Sequence, residues 1–102
     1  MNFLYKYGFN DDEIESLKET LSKDMYSDMA FLKTIVSANL DYLKDFGVTN
    51  YSQVFVKYPE IFMRDMESFK NVLGKFDKED LIAKVLKNPA VIKKMVDYVD
   101  NN

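Results

Sequence analysis

Apolar side chains recur at helical spacing along almost the whole chain. In "DMAFLKTIVSANLDYLKDF", residues 28–46, the positions that share one helical stripe are Met29, Leu32, Val36, Leu40 and Leu43. Phe31, Ile35 and Phe46 widen this stripe. Because the apolar face is so broad, we predict a central helix over this segment that its neighbours contact from more than one side.

Capping signals predict where the other helices begin and end. Asn10 is a plausible N-cap, and Glu13 follows at the capping-box spacing. Gly47 follows Phe46, where a left-handed C-terminal cap is needed, and Asp77 precedes another apolar run as an N-cap. These signals divide the chain into short helices joined by tight turns.

Two prolines interrupt apolar segments, in "VFVKYPEIF" (residues 54–62) and in "VLKNPAVI" (residues 85–92). Proline is disfavoured inside a helix but suits its first turn, so Pro59 and Pro89 each predict the start of a new helix. The helix that begins at Pro59 is predicted to run to about residue 73. Its inward-facing positions are Ile61, Phe62, Met66, Phe69 and Leu73.

The pattern as a whole predicts an all-α fold of about six helices, arranged as a small multi-helix bundle or a short solenoid. The N-terminal "NFLYKYGF" alternates like a strand. A lone strand would have no partner in a helical chain, so we predict a short helix or an extended segment that packs aromatic rings onto the other helices.

An approximate repeat of thirty residues supports the solenoid. Residues 43–69 lie over residues 73–99 with four identical pairs: Leu43 with Leu73, Phe46 with Phe76, Lys57 with Lys87, and Pro59 with Pro89. We therefore predict one domain, 1–102, with a partial repeat at 4–42 and repeats at 43–72 and 73–102. The polar ending "DNN" suits the end of a repeat array, so we also expect a complete C-terminus.

The segment "LKDFGVTNYSQVFVKYPEIF", followed by "LGKFDKEDLIAKVLKNPAVI", resembles the repeat of the mitochondrial transcription termination factor (mTERF) family. The shared features are a leucine, a glycine, a short helix, and a proline followed by apolar residues. The resemblance covers residues 43–92. It implies a right-handed solenoid of helix triplets and, for full-length family members, nucleic-acid binding along a basic concave surface.

Composition excludes much chemistry. The 102 residues include no cysteine and no histidine, which excludes disulfides, thiol chemistry and zinc sites built on those ligands. No glycine-rich phosphate loop or nucleophile motif is present, so we predict a protein that is not an enzyme and needs no cofactor and no small-molecule substrate. No leader or membrane-spanning run is evident, and we expect a cytoplasmic protein without a membrane partner.

Three acidic clusters are candidate ligands for Mg²⁺ or Ca²⁺: 11–13, Asp24 with Asp28, and Asp41 with Asp45. The first suits the positive end of a helix dipole, and the two pairs are spaced like solvated helix faces. None follows the calcium-loop pattern, and we predict no metal site.

Charge is distributed unevenly although the net charge is −3 and the isoelectric point is about 4.9. Residues 1–50 carry a net charge of −4, and residues 51–102 carry +1. The candidate nucleic-acid contacts all lie in the basic half: Lys57, Arg64, Lys70, Lys75, Lys84, Lys87, Lys93 and Lys94. A repeat would present the equivalent Lys57 and Lys87 on the same side.

Aromatic residues make up 15% of the chain, and tyrosine suits protein interfaces because its ring is amphipathic. The candidate interface residues are Phe3, Tyr5, Tyr42, Tyr51, Tyr58 and Tyr98. We therefore expect a non-catalytic interaction module that binds a protein partner or itself through an aromatic-rich surface. The alternative is a weak nucleic-acid-binding repeat protein that uses the lysines of residues 57–94.

Overall fold

A computed structural model describes residues 2–101; Met1 and Asn102, the ends of the predicted domain, lie outside the described residues. Every regular element in this range is helical, which confirms the all-α prediction. The α-helices are α1 (Asp11–Thr20), α2 (Lys23–Phe31), α3 (Lys33–Phe46), α4 (Tyr51–Lys57), α5 (Met66–Gly74), α6 (Lys78–Lys87) and α7 (Ala90–Asp100). Two 3₁₀ helices, Asn2–Tyr7 and Pro59–Met63, complete the fold.

The predicted capping signals are confirmed. The Asn10 side chain accepts a hydrogen bond from the Glu13 N–H at 2.8 Å, and the Glu13 carboxylate accepts one from the Asn10 N–H at 3.0 Å. Gly47 ends α3 with φ of +112°, and the Asp77 carboxylate accepts from the Asp80 N–H at 3.0 Å at the start of α6. These caps are local in sequence, which is why the sequence predicts them.

Two predicted helices are each divided in the structure. The segment 28–46 breaks at Leu32, and Phe31, expected to widen the apolar face, is 87% exposed at the end of α2. The segment 59–73 becomes a 3₁₀ helix followed by α5, because Asp65 caps a new helix by accepting from the Ser68 N–H at 2.9 Å. Met66, expected to face inward, is therefore 40% exposed in the first turn of α5.

Helix α3 is the centre of the molecule, as its broad apolar face predicts. It contacts α2, α4, α5 and both 3₁₀ helices. Around it, the rings of Phe9, Phe55, Phe62 and Phe69 form a chain of edge-to-face contacts with centroid distances of 5.3, 5.1 and 5.3 Å. Edge-to-face pairs of this kind add stabilisation beyond the apolar area that they bury.

Polar side chains hold the short elements to this core. Asn39, fully buried on α3, donates to the Phe62 carbonyl at 2.9 Å and to the Arg64 carbonyl at 2.8 Å. The Tyr51 hydroxyl donates to the Tyr7 carbonyl at 2.9 Å. The chain leaving Pro59 and the N-terminal 3₁₀ helix are thus fixed to elements far away in sequence.

The predicted repeat pairs lie in similar places. Leu43 and Leu73 are buried near the ends of α3 and α5, and each proline stands at the start of a new helix. The two copies differ after the proline, because Pro59 begins a 3₁₀ helix whereas α7 starts directly after Pro89. The division into repeats and the right-handed solenoid remain predictions.

Candidate interaction surface

Two adjoining depressions follow the outward side of α5. The first has a volume of about 420 Å³, and its lining residues share one face of α5: Glu67, Lys70, Asn71, Gly74 and Lys75. The second, of about 400 Å³, is lined by Asn71, Lys75, Tyr98 and Val99. Because Asn71 and Lys75 belong to both, the depressions form one continuous feature, which we name the α5–α7 surface.

The sequence of α5 determines which residues face this surface. Phe69, Val72 and Leu73 are buried against the core, so the positions between them point outward. Gly74 is exposed, and no neighbouring atom would lie within 4 Å of a Cβ added there, so its missing side chain leaves open space. The residues of the first depression follow the three-to-four-residue spacing of a helix face.

Lys70 packs against the ring of Tyr42. Its ammonium nitrogen lies 5.4 Å from the centroid of the Tyr42 ring, within the range of a cation–π contact. The Tyr42 ring is in turn 6.3 Å from that of Phe69 in the core. Tyr42, predicted from the sequence as an interface residue, thus contributes to the surface by holding Lys70.

Tyr98 provides the apolar end of the surface. It lies on α7, whose buried side consists of Ile92, Met95 and Val96, and it is 63% exposed. Its ring centroid is 6.3 Å from that of Phe76, directly beyond α5. An exposed ring next to Lys75 and Val99 combines apolar area with positive charge.

Salt bridges divide the eight basic residues predicted from the sequence. Three are paired with carboxylates: Arg64 with Asp100 at 2.8 Å, Lys84 with Asp80 at 2.9 Å, and Lys93 with Asp97 at 3.2 Å. The other five, none of which forms a salt bridge with another residue in 2–101, are Lys57, Lys70, Lys75, Lys87 and Lys94. Only Lys70 and Lys75 of these line the α5–α7 surface.

Arg64 has a structural contact that the sequence does not predict. Its guanidinium donates to both Asp100 carboxylate oxygens, at 3.2 and 2.8 Å, and to the Ser68 hydroxyl at 3.0 and 2.8 Å. This hydrogen bonding lowers the pKa of the Asp100 carboxyl below its ordinary value. Arg64 therefore ties the end of α7 to the start of α5.

The remaining aromatic candidates are dispersed. Tyr5 is 48% exposed, and its hydroxyl donates to Asp11, which raises the pKa of Tyr5. Phe3, Tyr51 and Tyr58 are partly buried against the core. The structure brings only Tyr42 and Tyr98, of the six predicted interface residues, to the α5–α7 surface. Their role there stays a prediction.

Four residues that line the surface are not among the candidates predicted from the sequence: Glu67, Asn71, Gly74 and Val99. The signal for Asn71 and Gly74 is their spacing relative to Lys70 and Lys75 along one helix. The period of the apolar stripe predicts that Phe31 belongs to it. Only the break at Leu32 places it in solvent.

A third depression, of about 440 Å³, lies between the N-terminal 3₁₀ helix and α3. Its charged lining residues are Lys6, Lys33 and Asp41.

Within residues 2–101, no group of three or more acidic side chains is arranged to hold a metal ion. The acidic residues 11–13 occupy the first turn of α1, where they complement the helix dipole.

In the part of the chain that the structure describes, no helix has both the length and the apolar character needed to cross a membrane. Comparison of the chain with protein families, with curated proteins and with solved structures gave no match.

Proposed function

We propose that the chain is a non-catalytic interaction module that binds an acidic segment of a protein partner across the α5–α7 surface. The observation that carries this proposal is the continuity of the two depressions. Lys70 and Lys75 line the first depression, and Lys75 and Tyr98 line the second, so all three border one surface along α5 and α7. The segment bound would carry carboxylates for the lysines and an apolar side chain for the tyrosine.

The chemistry of the surface supports this class of ligand. Lysine ammonium groups are hydrated point charges, and a pair without salt-bridge partners attracts carboxylates without first breaking a salt bridge. Tyrosine offers a rigid amphipathic ring of the kind enriched in interfaces. The Asn71 amide has both a donor and an acceptor for a peptide backbone. A site this small is typical of weak, transient recognition.

The distribution of charge favours a protein ligand over nucleic acid. Three of the eight predicted phosphate contacts, Arg64, Lys84 and Lys93, are already neutralised by neighbouring carboxylates. The chain as a whole carries −3, whereas nucleic-acid-binding domains are usually strongly basic. Lys57 and Lys87, the equivalent pair of the mTERF-like repeat, end α4 and α6 and do not line the surface.

Fluorescence anisotropy with two probes tests the proposal. The first is a labelled peptide of alternating aspartate and phenylalanine, with a lysine-for-aspartate version as its control. The second is a labelled single strand of about 20 nucleotides, longer than one typical binding site. We expect the acidic peptide to bind, with only a modest loss of affinity between about 0.05 and 0.2 M salt, and its lysine version not to bind.

Two charge reversals locate the site. Lys75→Glu should weaken peptide binding about tenfold, whereas Lys57→Glu, which reverses an exposed lysine at the end of α4 that lines neither depression, should leave it unchanged. Equal loss in both variants, or binding of the single strand with a steep salt dependence and no peptide binding, would contradict the proposal. The cytoplasmic location and the absence of a cofactor remain predictions.

A further inference from the structure

Helix α2 carries an exposed face that no other described element covers. Its outward positions recur at the spacing of one helical face, and they are Asp24, Ser27, Asp28 and Phe31. Phe31 is 87% exposed, more than any other large apolar residue in 2–101. Neither aspartate forms a salt bridge with another residue in that range.

The exposure of Phe31 follows from the way α2 packs on the core. The helix turns Met29 fully into the core and keeps Met25 partly buried, so its orientation is fixed. Phe31 therefore points away from the molecule while the helix remains anchored. A single exposed ring is common on protein surfaces, so the case for a contact here depends on the charges that surround Phe31.

The α2 face has the composition that the α5–α7 surface requires. It presents two unpaired carboxylates and one apolar ring, and the α5–α7 surface presents Lys70, Lys75 and Tyr98. Resting on the function proposed above, we infer that the ligand of the α5–α7 surface is the α2 face of a second copy of this chain.

The order of charges along the two helices gives the direction of docking. From N- to C-terminus, α2 presents Lys23, Asp24, Asp28 and Phe31. In the same direction the α5–α7 surface presents Glu67, Lys70 and Lys75, and Tyr98 and Val99 lie at the Lys75 end. With the helices parallel, Asp24 and Asp28 have nearly the same spacing as Lys70 and Lys75, and Phe31 lies at the Tyr98 end. Antiparallel docking would place Phe31 beside Glu67.

The two faces are different surfaces of one molecule, so the contact is head-to-tail. Each copy offers one α2 face and one α5–α7 surface, and successive copies form a chain or a closed ring. A variant that has lost one face still offers the other, so mutations can test the two faces separately.

Sedimentation velocity on the full chain, at concentrations up to about 1 mM, the weak end of specific association, tests the inference. Wild type should form dimers or larger species as concentration rises. Phe31→Ser removes the α2 face, and the double variant Lys70→Glu/Lys75→Glu removes the α5–α7 surface. Both changes lie on exposed or half-exposed positions, and circular dichroism checks that each variant stays folded.

Each variant alone should remain monomeric, with association weakened by at least about tenfold. Their equimolar mixture should form heterodimers and nothing larger, because only one complementary pair of faces remains. Undiminished assembly of either variant, a mixture that stays monomeric while wild type assembles, or a monomeric wild type at every concentration would overturn the inference.

The acidic peptide described above separates this result from the proposed function. Phe31→Ser keeps the α5–α7 surface intact and should bind the peptide at least as well as wild type does. If the peptide binds but the wild-type chain never self-associates, the second copy is the wrong ligand and the proposed function stands. If neither the peptide nor a second copy binds, both fail.

Discussion

At the scale of single residues, a few buried polar groups determine where short elements lie. Asn39 interrupts the apolar stripe of α3, and the sequence gives no reason for a polar residue there. Its amide is hydrogen-bonded to the carbonyls of Phe62 and Arg64, more than twenty residues away, which no local pattern predicts. Asn10 and Asp77, by contrast, bond within their own first turn and are predictable.

Replacing Asn39 tests this role. Asn39→Ala leaves two carbonyls at the end of the second 3₁₀ helix without their donor, and we expect it to lower the free energy of unfolding by about 3 kcal/mol. Asn71→Ala, at an exposed position, should change it by less than about 0.5 kcal/mol. Urea denaturation measures both. Equal losses of unfolding free energy in the two variants would show that the hydrogen bonds of Asn39 do not stabilise the fold.

Tyr7 gives the fold a dependence on alkaline pH. Its hydroxyl donates to the Ser37 carbonyl at 3.0 Å, and burial raises the pKa of Tyr7 to about 12. Since the unfolded tyrosine titrates near 10, the stabilisation from protonated Tyr7 is complete below pH 10 and is lost as the pH rises towards 12.

We therefore expect wild type to lose more unfolding free energy than Tyr7→Phe between neutral pH and about pH 11. Groups that are the same in both proteins, including Tyr5, cancel in the comparison. Urea denaturation at the two pH values measures the difference. Parallel losses in wild type and variant would show that Tyr7 titrates normally in the folded protein.

At the scale of elements, the sequence predicts helix ends better than helix breaks. A cap is a local hydrogen bond, so Gly47 and the Asn10 box are visible in the pattern. The breaks at Leu32 and Asp65 are not visible in the pattern, because the apolar period continues through both. Asp65 with Ser68 is itself a capping pair that the apolar run obscured. The exposure of Phe31 depends on the first of these breaks.

Substitutions at the three glycines distinguish the cost of backbone strain from the cost of a steric clash. Gly47 has φ of +112°, and a Cβ there would meet Ile82 at 2.9 Å; Gly8 has φ of +87° with nothing nearby. Gly47→Ala should cost about 2 to 3 kcal/mol, and Gly8→Ala, which adds only backbone strain, about 1 kcal/mol. Gly74→Ala should be neutral or stabilise by up to about 1 kcal/mol. Thermal unfolding measures the three changes in stability. Equal changes in all three variants would show that neither the positive φ nor the contact with Ile82 matters.

At the scale of the whole molecule, the pattern predicts the fold class but not the arrangement of faces. Helical period and punctuation suffice for an all-α domain. Two of the three salt bridges among the predicted basic residues join a lysine to a carboxylate four residues away in the same helix, a spacing that is visible in the sequence. The third joins Arg64 to Asp100 across 36 residues. The α5–α7 surface likewise joins residues of two helices that only the tertiary packing brings together, so the sequence predicts the residues but not their grouping.

The Arg64–Asp100 salt bridge should hold α7 less firmly in strong acid than at neutral pH. Arg64 lowers the folded-state pKa of the Asp100 carboxyl, so its stabilisation is present above the ordinary value of 3.8 and is lost as the pH falls through the lowered value. Asp100→Asn should therefore speed hydrogen exchange of α7 amides at neutral pH but not in strong acid. Asp97→Asn, which affects an i,i+4 pair within α7, is the control and should change exchange less.

If the α5–α7 surface binds an acidic partner, as we propose, an amide chemical-shift titration with the acidic peptide will locate the contact. We expect the shifted amides to cluster at 67–75 and 98–99, with unchanged signals around Lys57 and Lys87. Shifts that cluster on those two lysines instead, or that spread evenly over the molecule, would contradict the proposal.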